Sequence, residues 1–537
     1  MPSMRDAIII GGGHNGLVAA AFLARAGLKP LVLERRDRVG GCADTSELAP
    51  GFLCPTIAHT AAIDPSIVRA LGLERHGLRM VRPATDACAP TRDGRALVLG
   101  RDAARAAQSV ATFSRGDADR YPRFLTSVAR ISGVLRAVSN AAPPSIDDPT
   151  AADVIGMLRA GRKFRGLGRA DAHRLLRWMP MAVADLAGEW FESEPLRATV
   201  AAGGILGSFL GPWSAGSAAV LLLLGAGEGH PIATGWFATG GTGAVAGALA
   251  HAALEAGAEI RTGAEVAHVV IAQGAQGADA AATGVVLASG EEIPARVVVS
   301  GVDPKRTLLS LVDPMHLAPE FVRRAQNIRM HGTLAKVNYA VSSLPRFSGI
   351  ASLDADQRTA ALSGRIRLNP EVDAIERAFD AAKYGAVSDD PWMELTIPSI
   401  ADPSLAKPGQ HVVSAYLQYA PYTLRGTTWD AERDRLGGIA TRTIETYAPA
   451  FSASIVAQQV ITPLDLERTY GLTGGHVFHG ELALDQFFVT RPLLGWARYA
   501  TPIRRLYLCG SGTHPGTGIN GRSGALAAKE IARQFKR

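Results

Sequence analysis

Three glycines near the start of the chain have the spacing that holds a pyrophosphate: Gly11, Gly13 and Gly16 in the run GGGHNG. Gly11 permits a tight turn, Gly13 lets the backbone approach the phosphates, and Gly16 lets a helix pack closely on the strand before it. His14 and Asn15 stand between these glycines and belong to the same candidate site. Eighteen residues after Gly16 comes Glu34, a carboxylate able to accept both hydroxyls of an adenosine ribose, with Arg35 directly after it. Gly40 and Gly41, in RVGGCADT, place a second glycine turn where an extended dinucleotide runs on past its pyrophosphate. Side chains that could move a proton are His230, His476, His479 and Asp485, the last three within GGHVFHGELALD. Of these, His479 and Asp485 are the catalytic candidates.

The elements needed to position these groups are legible around them. Residues 7–10 (AIII) are an all-apolar run that predicts a strand. LVAAAFLARAG has helical spacing and ends at Gly27, and LVLE predicts a second strand that delivers Glu34. Context matters here, because Gly516, Gly518 and Gly521 repeat the same glycine spacing with no strand directly before them. Residues 239–301 predict a helix closed by Gly257 and three further strands, with a turn at Ser289-Gly290. Gly240, Gly241 and Gly243 do not complete a second fingerprint, so no separate nicotinamide domain is expected. The last segment, RLYLCGSGTHPGTGINGRSGALAAKEIARQF, predicts a strand, a long glycine loop and a helix with Ala525, Leu526, Ala528, Ile531 and Phe535 on its apolar face.

Composition limits the alternatives. The chain has 537 residues, 47% hydrophobic and 20% charged, which points to a folded globular protein of more than one unit. The net charge of +7 is small for this length, and no basic run interleaves with aromatics, so nucleic acid is not an expected partner. The four cysteines, Cys42, Cys54, Cys88 and Cys509, form no CxxC pair. His59, His411 and Glu394 lack ligand spacing, so no metal site is expected. The short apolar run at the start is no signal peptide, and the expected location is cytoplasmic. Residues 198–227 carry no charge, but their seven glycines and Pro212 argue for a buried helix pair beside an apolar tunnel rather than a membrane span. Residues 162–177 hold six Lys/Arg against one Asp. That stretch is either a solvated face or a peripheral contact with anionic lipid headgroups. Tyr416 and Tyr419, in the strand-like HVVSAYLQY, are expected to pack rather than react.

The run ERRDRVGGCADT resembles the glycine-rich extension after the dinucleotide fingerprint in FAD enzymes of the amine oxidase and phytoene desaturase superfamily. The C-terminal segment, preceded by FHGELALDQFFVTRPLLGWARYATPI, resembles the closing signature of the phytoene desaturase-like group, which includes desaturase-like carotenoid ketolases. The resemblance implies an α/β fold: a Rossmann-like FAD-binding domain from residues 1–75, 239–301 and 496–537, with a discontinuous α+β substrate-binding domain from 76–238 and 302–495. It implies that Val266 lies against the adenine, and that Gly510, Gly512, Thr517, Ile519 and Asn520 lie along the pyrophosphate and flavin ring. It also implies an oxidoreductase that takes a hydride from a lipophilic, unsaturated substrate. An amine oxidase-like activity and a mainly regulatory flavoprotein are the alternatives.

Overall fold

The computed structural model describes residues 4–147, 149–228, 232, 235–273 and 280–535. Short strands from three distant parts of the chain make its central sheet, in which every pair is parallel and the middle strands are buried on both faces. Ala7–Ile10 lies in the middle, with Pro30–Leu33 and then Glu259–Arg261 on one side, and Val298–Ser300 and then Leu506–Leu508 on the other. Ile9 stands opposite Val32 and Val299, and Val299 opposite Tyr507. Alternation along the strand splits the core in two. Ile9 packs with Val18, Leu249 and Ile531 from the helices His14–Arg25, Gly243–Glu255 and Arg522–Phe535. Ile8 and Ile10 pack on the opposite face with Leu308, Phe321 and Leu506.

The first helix begins at His14 with Gly13 as its cap, and Gly27 follows its end with φ +95°, as the glycine there predicts. Two details depend on packing. Between residues 239 and 301 only Glu259–Arg261 and Val298–Ser300 enter the central sheet; Val266–Ala272, Ala281–Leu287 and Glu292–Pro294 form an antiparallel sheet of their own. In the last helix Ala525, Leu526 and Phe535 are half-buried and pack against the core, as their place on the apolar face predicts, while Ala527 joins Ala528 and Ile531 inside. The reason is the approach at Gly524, where a Cβ would lie 2.1 Å from the Asn15 carbonyl oxygen. That contact fixes the buried face as 524, 527, 528 and 531.

A second, seven-stranded sheet stands over the first. Its spatial order is Ile455–Ile461, Leu334–Val341, His411–Gln418, Trp392–Thr396, Arg365–Leu368, Thr85–Pro90 and Ala96–Gly100. Ala335, Val337, Tyr339, Ala415 and Leu417 pack beneath helix Trp429–Tyr447. The intervening residues on the two middle strands are polar and also buried: Lys336, Asn338, Ser414 and Gln418, with Tyr416 half-buried among them. The uncharged run becomes the end of helix Glu194–Ala201, a short tight turn, a loop around Pro212 and helix Ser217–Glu228. Leu221 and Leu222 of that helix pack in one core with Val128 and Ile131 of helix Arg115–Ser139. Among the described residues, no helix is long and apolar enough to cross a membrane.

Candidate active site

The turn after the first strand is built to leave room for a ligand. Gly11 has φ +93° and its N–H donates to the Leu33 carbonyl at 2.8 Å, tying the first two strands at their carboxyl ends. A Cβ on Gly16 would stand 2.2 Å from the Gly11 carbonyl oxygen, so this glycine serves the packing of helix on turn. A Cβ on Gly13, by contrast, meets nothing within 4 Å and would project into open space. Glu34 is buried; its Oε2 accepts the Gly12 N–H at 2.8 Å and its Oε1 the Arg36 N–H at 3.0 Å. The acid therefore braces the turn as well as facing the cavity.

The glycine turn that follows brings in a residue that the sequence reading passed over. Arg36 donates through Nη2 to Asp44 at 2.8 Å and stacks over the Tyr470 ring at 4.6 Å, while its buried Nη1 has no partner. It lines the same cavity as the fingerprint glycines; burial works against its charge, but the hydrogen bond and charge of Asp44, with Tyr470 and Glu34, outweigh that and raise its pKa. Arg35 also lines the cavity, but its guanidinium donates outward to the Arg468 carbonyl at 2.8 Å. Gly41 and Val266 are in the cavity wall, whereas Gly40 is behind it, its N–H bonded to the Gly12 carbonyl at 2.9 Å.

The two ends of the chain are stitched together at this point. Asn15 Nδ2 donates to Ser511 Oγ at 3.1 Å, and Asn15 Oδ1 accepts the Gly524 N–H at 3.3 Å. Within the C-terminal loop Asn520 Nδ2 donates to the Gly516 carbonyl at 2.9 Å, and its Oδ1 accepts the Arg522 N–H at 2.8 Å. Thr517, Gly518, Ile519, Asn520 and Ser511 line the cavity. Gly510 and Gly512 do not: a Cβ on them would lie 2.5 Å from the Gly301 carbonyl oxygen and 2.2 Å from Pro304 Cδ. They allow close packing on either side of Ser511, the residue that faces the ligand space.

Past the fingerprint, one continuous cavity of about 1820 Å³, its opening to solvent included, runs on to the inner face of the second sheet. His59, Tyr416, Leu334, Arg365, Glu394, Leu206, Leu224 and Gly227 form that end of its wall. The His59 ring stacks on Tyr416 with centroids 3.8 Å apart, and neither of its buried nitrogens has a partner. Burial, helped by the Lys336 and Arg365 charges, holds its pKa well below the usual value, so the imidazole is neutral. Lys336 Nζ donates to the Ile57 carbonyl at 2.6 Å and sits 4.5 Å over the Tyr416 ring; burial lowers its pKa to about 7. The Tyr416 hydroxyl donates to the same carbonyl at 2.6 Å. Tyr416 thus packs as expected, and does so in the cavity wall, while Tyr419 lies in the core, donating to the Leu210 carbonyl at 2.7 Å. The signal for the site residues was present as polar side chains at every second position of two otherwise apolar strands, Lys336 with Asn338 and Ser414 with Tyr416.

The proton-transfer candidates part company. His14 lines the cavity with Nε2 unpartnered, its pKa lowered to about 4 by burial and by the neighbouring His479. His479 is also in the wall, with φ +57° and Nδ1 unpartnered; burial lowers its pKa against the opposing pull of Asp303. His476 is outside the wall, and its Nδ1 accepts the Phe478 N–H at 3.3 Å and the Gly480 N–H at 3.4 Å, a turn-closing role. Asp485 is also outside: its carboxylate is exposed and pairs with Arg329 at 2.9 and 2.8 Å, which lowers its pKa. His230 falls outside the described residues.

An open cradle at Gly13, the Glu34 carboxylate, the free nitrogen of Arg36 and a cavity that continues beyond them fit an extended dinucleotide bearing a second ring system. Comparison with known proteins agrees. The family model for flavin-containing amine oxidoreductases matches residues 16–532. The pyridine nucleotide-disulfide oxidoreductase domain-containing protein 2 of Rattus norvegicus is 37% identical over 99% of this chain and 94% of its own length. The lycopene-forming phytoene desaturase of Pseudescherichia vulneris is 27% identical over 96% of each chain. The cyclohexylamine oxidase of Brevibacterium oxydans IH-35A superposes over 100% of both chains with a TM-score of 0.57 at 17% identity, a likeness of fold. The resemblance to phytoene desaturase-like FAD enzymes and the α/β FAD-binding fold read from the sequence are both borne out.

Proposed function

The chain belongs to the flavin-containing amine oxidoreductase family, and on that premise we propose that this FAD-dependent oxidoreductase acts on hydrophobic, unsaturated substrates by taking a hydride from an activated C–H bond. The observation that carries this reading is the continuity of the cavity from the fingerprint glycines to Leu206, Leu224 and Leu334. Bound FAD supplies the hydride acceptor, and the difficult electronics are its own. The chain's part is to bind, orient and exclude water. Gly11 to Gly16, Glu34 and Arg36 would hold the dinucleotide half, and the loop from Thr517 to Asn520, locked by the Asn520 amide, supplies a further part of the same wall. The leucines keep the far chamber dry, which favours a greasy substrate and strengthens every polar contact made inside. Among the described residues, His59 is the wall group at that end that is neutral with both ring nitrogens unengaged, so it can donate or accept a single proton; its stack on Tyr416 fixes the ring plane.

Charge at that end favours a hydrocarbon over an amine. Lys336 and Arg365 both stand near Tyr416 and His59, while Glu394 is shared by Arg365 at 3.4 Å and Arg367 at 3.0 Å. An incoming ammonium would meet the Arg365 cation, Lys336 whenever it is protonated, and a carboxylate already engaged. The phytoene desaturase relative is named for an unsaturated hydrocarbon, which supports the same class. Anaerobic mixing of the FAD-loaded protein with carotenoid precursors, polyunsaturated fatty acids and amines tests it. Loss of the flavin band near ~450 nm with a polyene, and not with amines, is the expected result. Loss with amines alone refutes it.

A further inference from the structure

Helix Ala151–Arg165 lies outside the helical layer and turns apolar side chains to solvent: Val154, Ile155, Met157 and Leu158 are 43%, 49%, 47% and 69% exposed. Single exposed apolar residues are ordinary; four within five positions of one helix form a patch. Leu176, on the next helix Gly168–Trp178, is 64% exposed. The pair of helices still has an inner face, since Phe164, Leu167, Leu175 and Trp178 pack in the core with Phe124 and Val128. The outward residues are therefore a second apolar surface on elements already anchored.

The exposed charged side chains of the two helices themselves have one sign. Arg159, Arg162, Lys163, Arg165 and Arg169 are all exposed and make no ion pair among the described residues. The acids of the two helices are less exposed and already paired: Asp153 with Arg498 at 2.9 Å, and Asp171 with Arg130 at 2.7 Å and, on its own helix, Arg174 at 2.8 Å. A second copy of the chain is a poor occupant, because a two-fold interface sets the same patch against itself and would bring both sets of cations together. A surface that is itself anionic and has an apolar interior meets both features at once.

We propose that this face docks on an anionic lipid bilayer, with Ile155 and Leu158 entering the acyl boundary and the arginines and Lys163 meeting the headgroup phosphates. The inference is independent of the substrate reading. Flotation of the full FAD-loaded chain with phosphatidylcholine vesicles, with and without phosphatidylglycerol, tests it. Binding is expected only to the anionic vesicles and falls as salt rises. Each cation removed lowers the partition about fivefold, so R159Q/R162Q/K163Q/R165Q loses more than about a hundredfold. I155S/L158S, which changes only exposed side chains, loses about tenfold or more. R346Q/R377Q, which removes two exposed charges elsewhere, leaves binding unchanged. The proposal is overturned if no vesicles bind at low salt, if the control pair weakens binding as much as the patch variants, or if I155S/L158S merely converts a dimer to a monomer.

Discussion

Replacing Gly13 and Gly16 by alanine separates the glycine that serves the ligand from the glycine that serves the fold. Gly13 has φ −69° and ψ 168°, a conformation that alanine adopts freely, and the added Cβ meets no protein atom within 4 Å. Gly13→Ala should leave the unfolding free energy of the cofactor-free protein unchanged or raise it by about 0.4–1 kcal/mol through the unfolded chain. The methyl group instead occupies the space where phosphate oxygens approach the backbone. Losing one charge-assisted hydrogen bond costs about 1.5–3 kcal/mol, which is roughly a 10- to 150-fold rise in Kd for FAD. Gly16→Ala is the converse. Its Cβ would lie 2.2 Å from the Gly11 carbonyl oxygen, so helix and turn must part, at about 1–3 kcal/mol, even though alanine is the better helix former. Quenching of flavin fluorescence on titration gives the Kd, and denaturant unfolding of the cofactor-free variants gives the stability. Unaltered FAD affinity in Gly13→Ala, or unaltered stability in Gly16→Ala, refutes the division of labour.

Lys336→Met tests the buried amine. Its folded pKa of about 7 lies below the ordinary 10.5, so between those values the unfolded chain holds the extra proton and stability rises with pH. Urea unfolding of wild type should therefore gain about 1.4 kcal/mol per pH unit relative to the variant in that window, and parallel profiles refute it. His59→Phe keeps a ring on Tyr416 but removes both nitrogens; steady-state turnover should fall at least about tenfold with FAD content unchanged. Asp485→Asn, outside the cavity wall, should keep turnover within about twofold, and a larger loss would give that carboxylate a role its pairing with Arg329 does not suggest. Gly524→Ala forces the last helix off Asn15 and should lower both thermal stability, by about 1–3 kcal/mol, and retained FAD, read from absorbance.

What the sequence determined by itself is local. Strand, glycine turn, helix and acid fall within residues 7–34, and the contacts that shape the turn, Gly11 on Leu33, Gly12 on Glu34 and Gly16 on Gly11, are made within that unit, so residue type and spacing carry the information. The paired glycine turn at Gly40 and Gly41 was legible for the same reason. Tertiary structure decided what depends on partners far along the chain. It set Ser511 rather than Gly510 or Gly512 toward the ligand, because the glycines are spent on contacts with residues 301 and 304. It brought Lys336 and Tyr416 from two strands onto one carbonyl at Ile57, and turned His59 over the Tyr416 ring. It kept Asp485 outside beside Arg329, and joined Asn15 to Ser511 across the length of the chain. Burial and the loss of water decide which of those polar groups stay charged and which are left with a free hydrogen-bonding atom, and a one-dimensional pattern has no term for either.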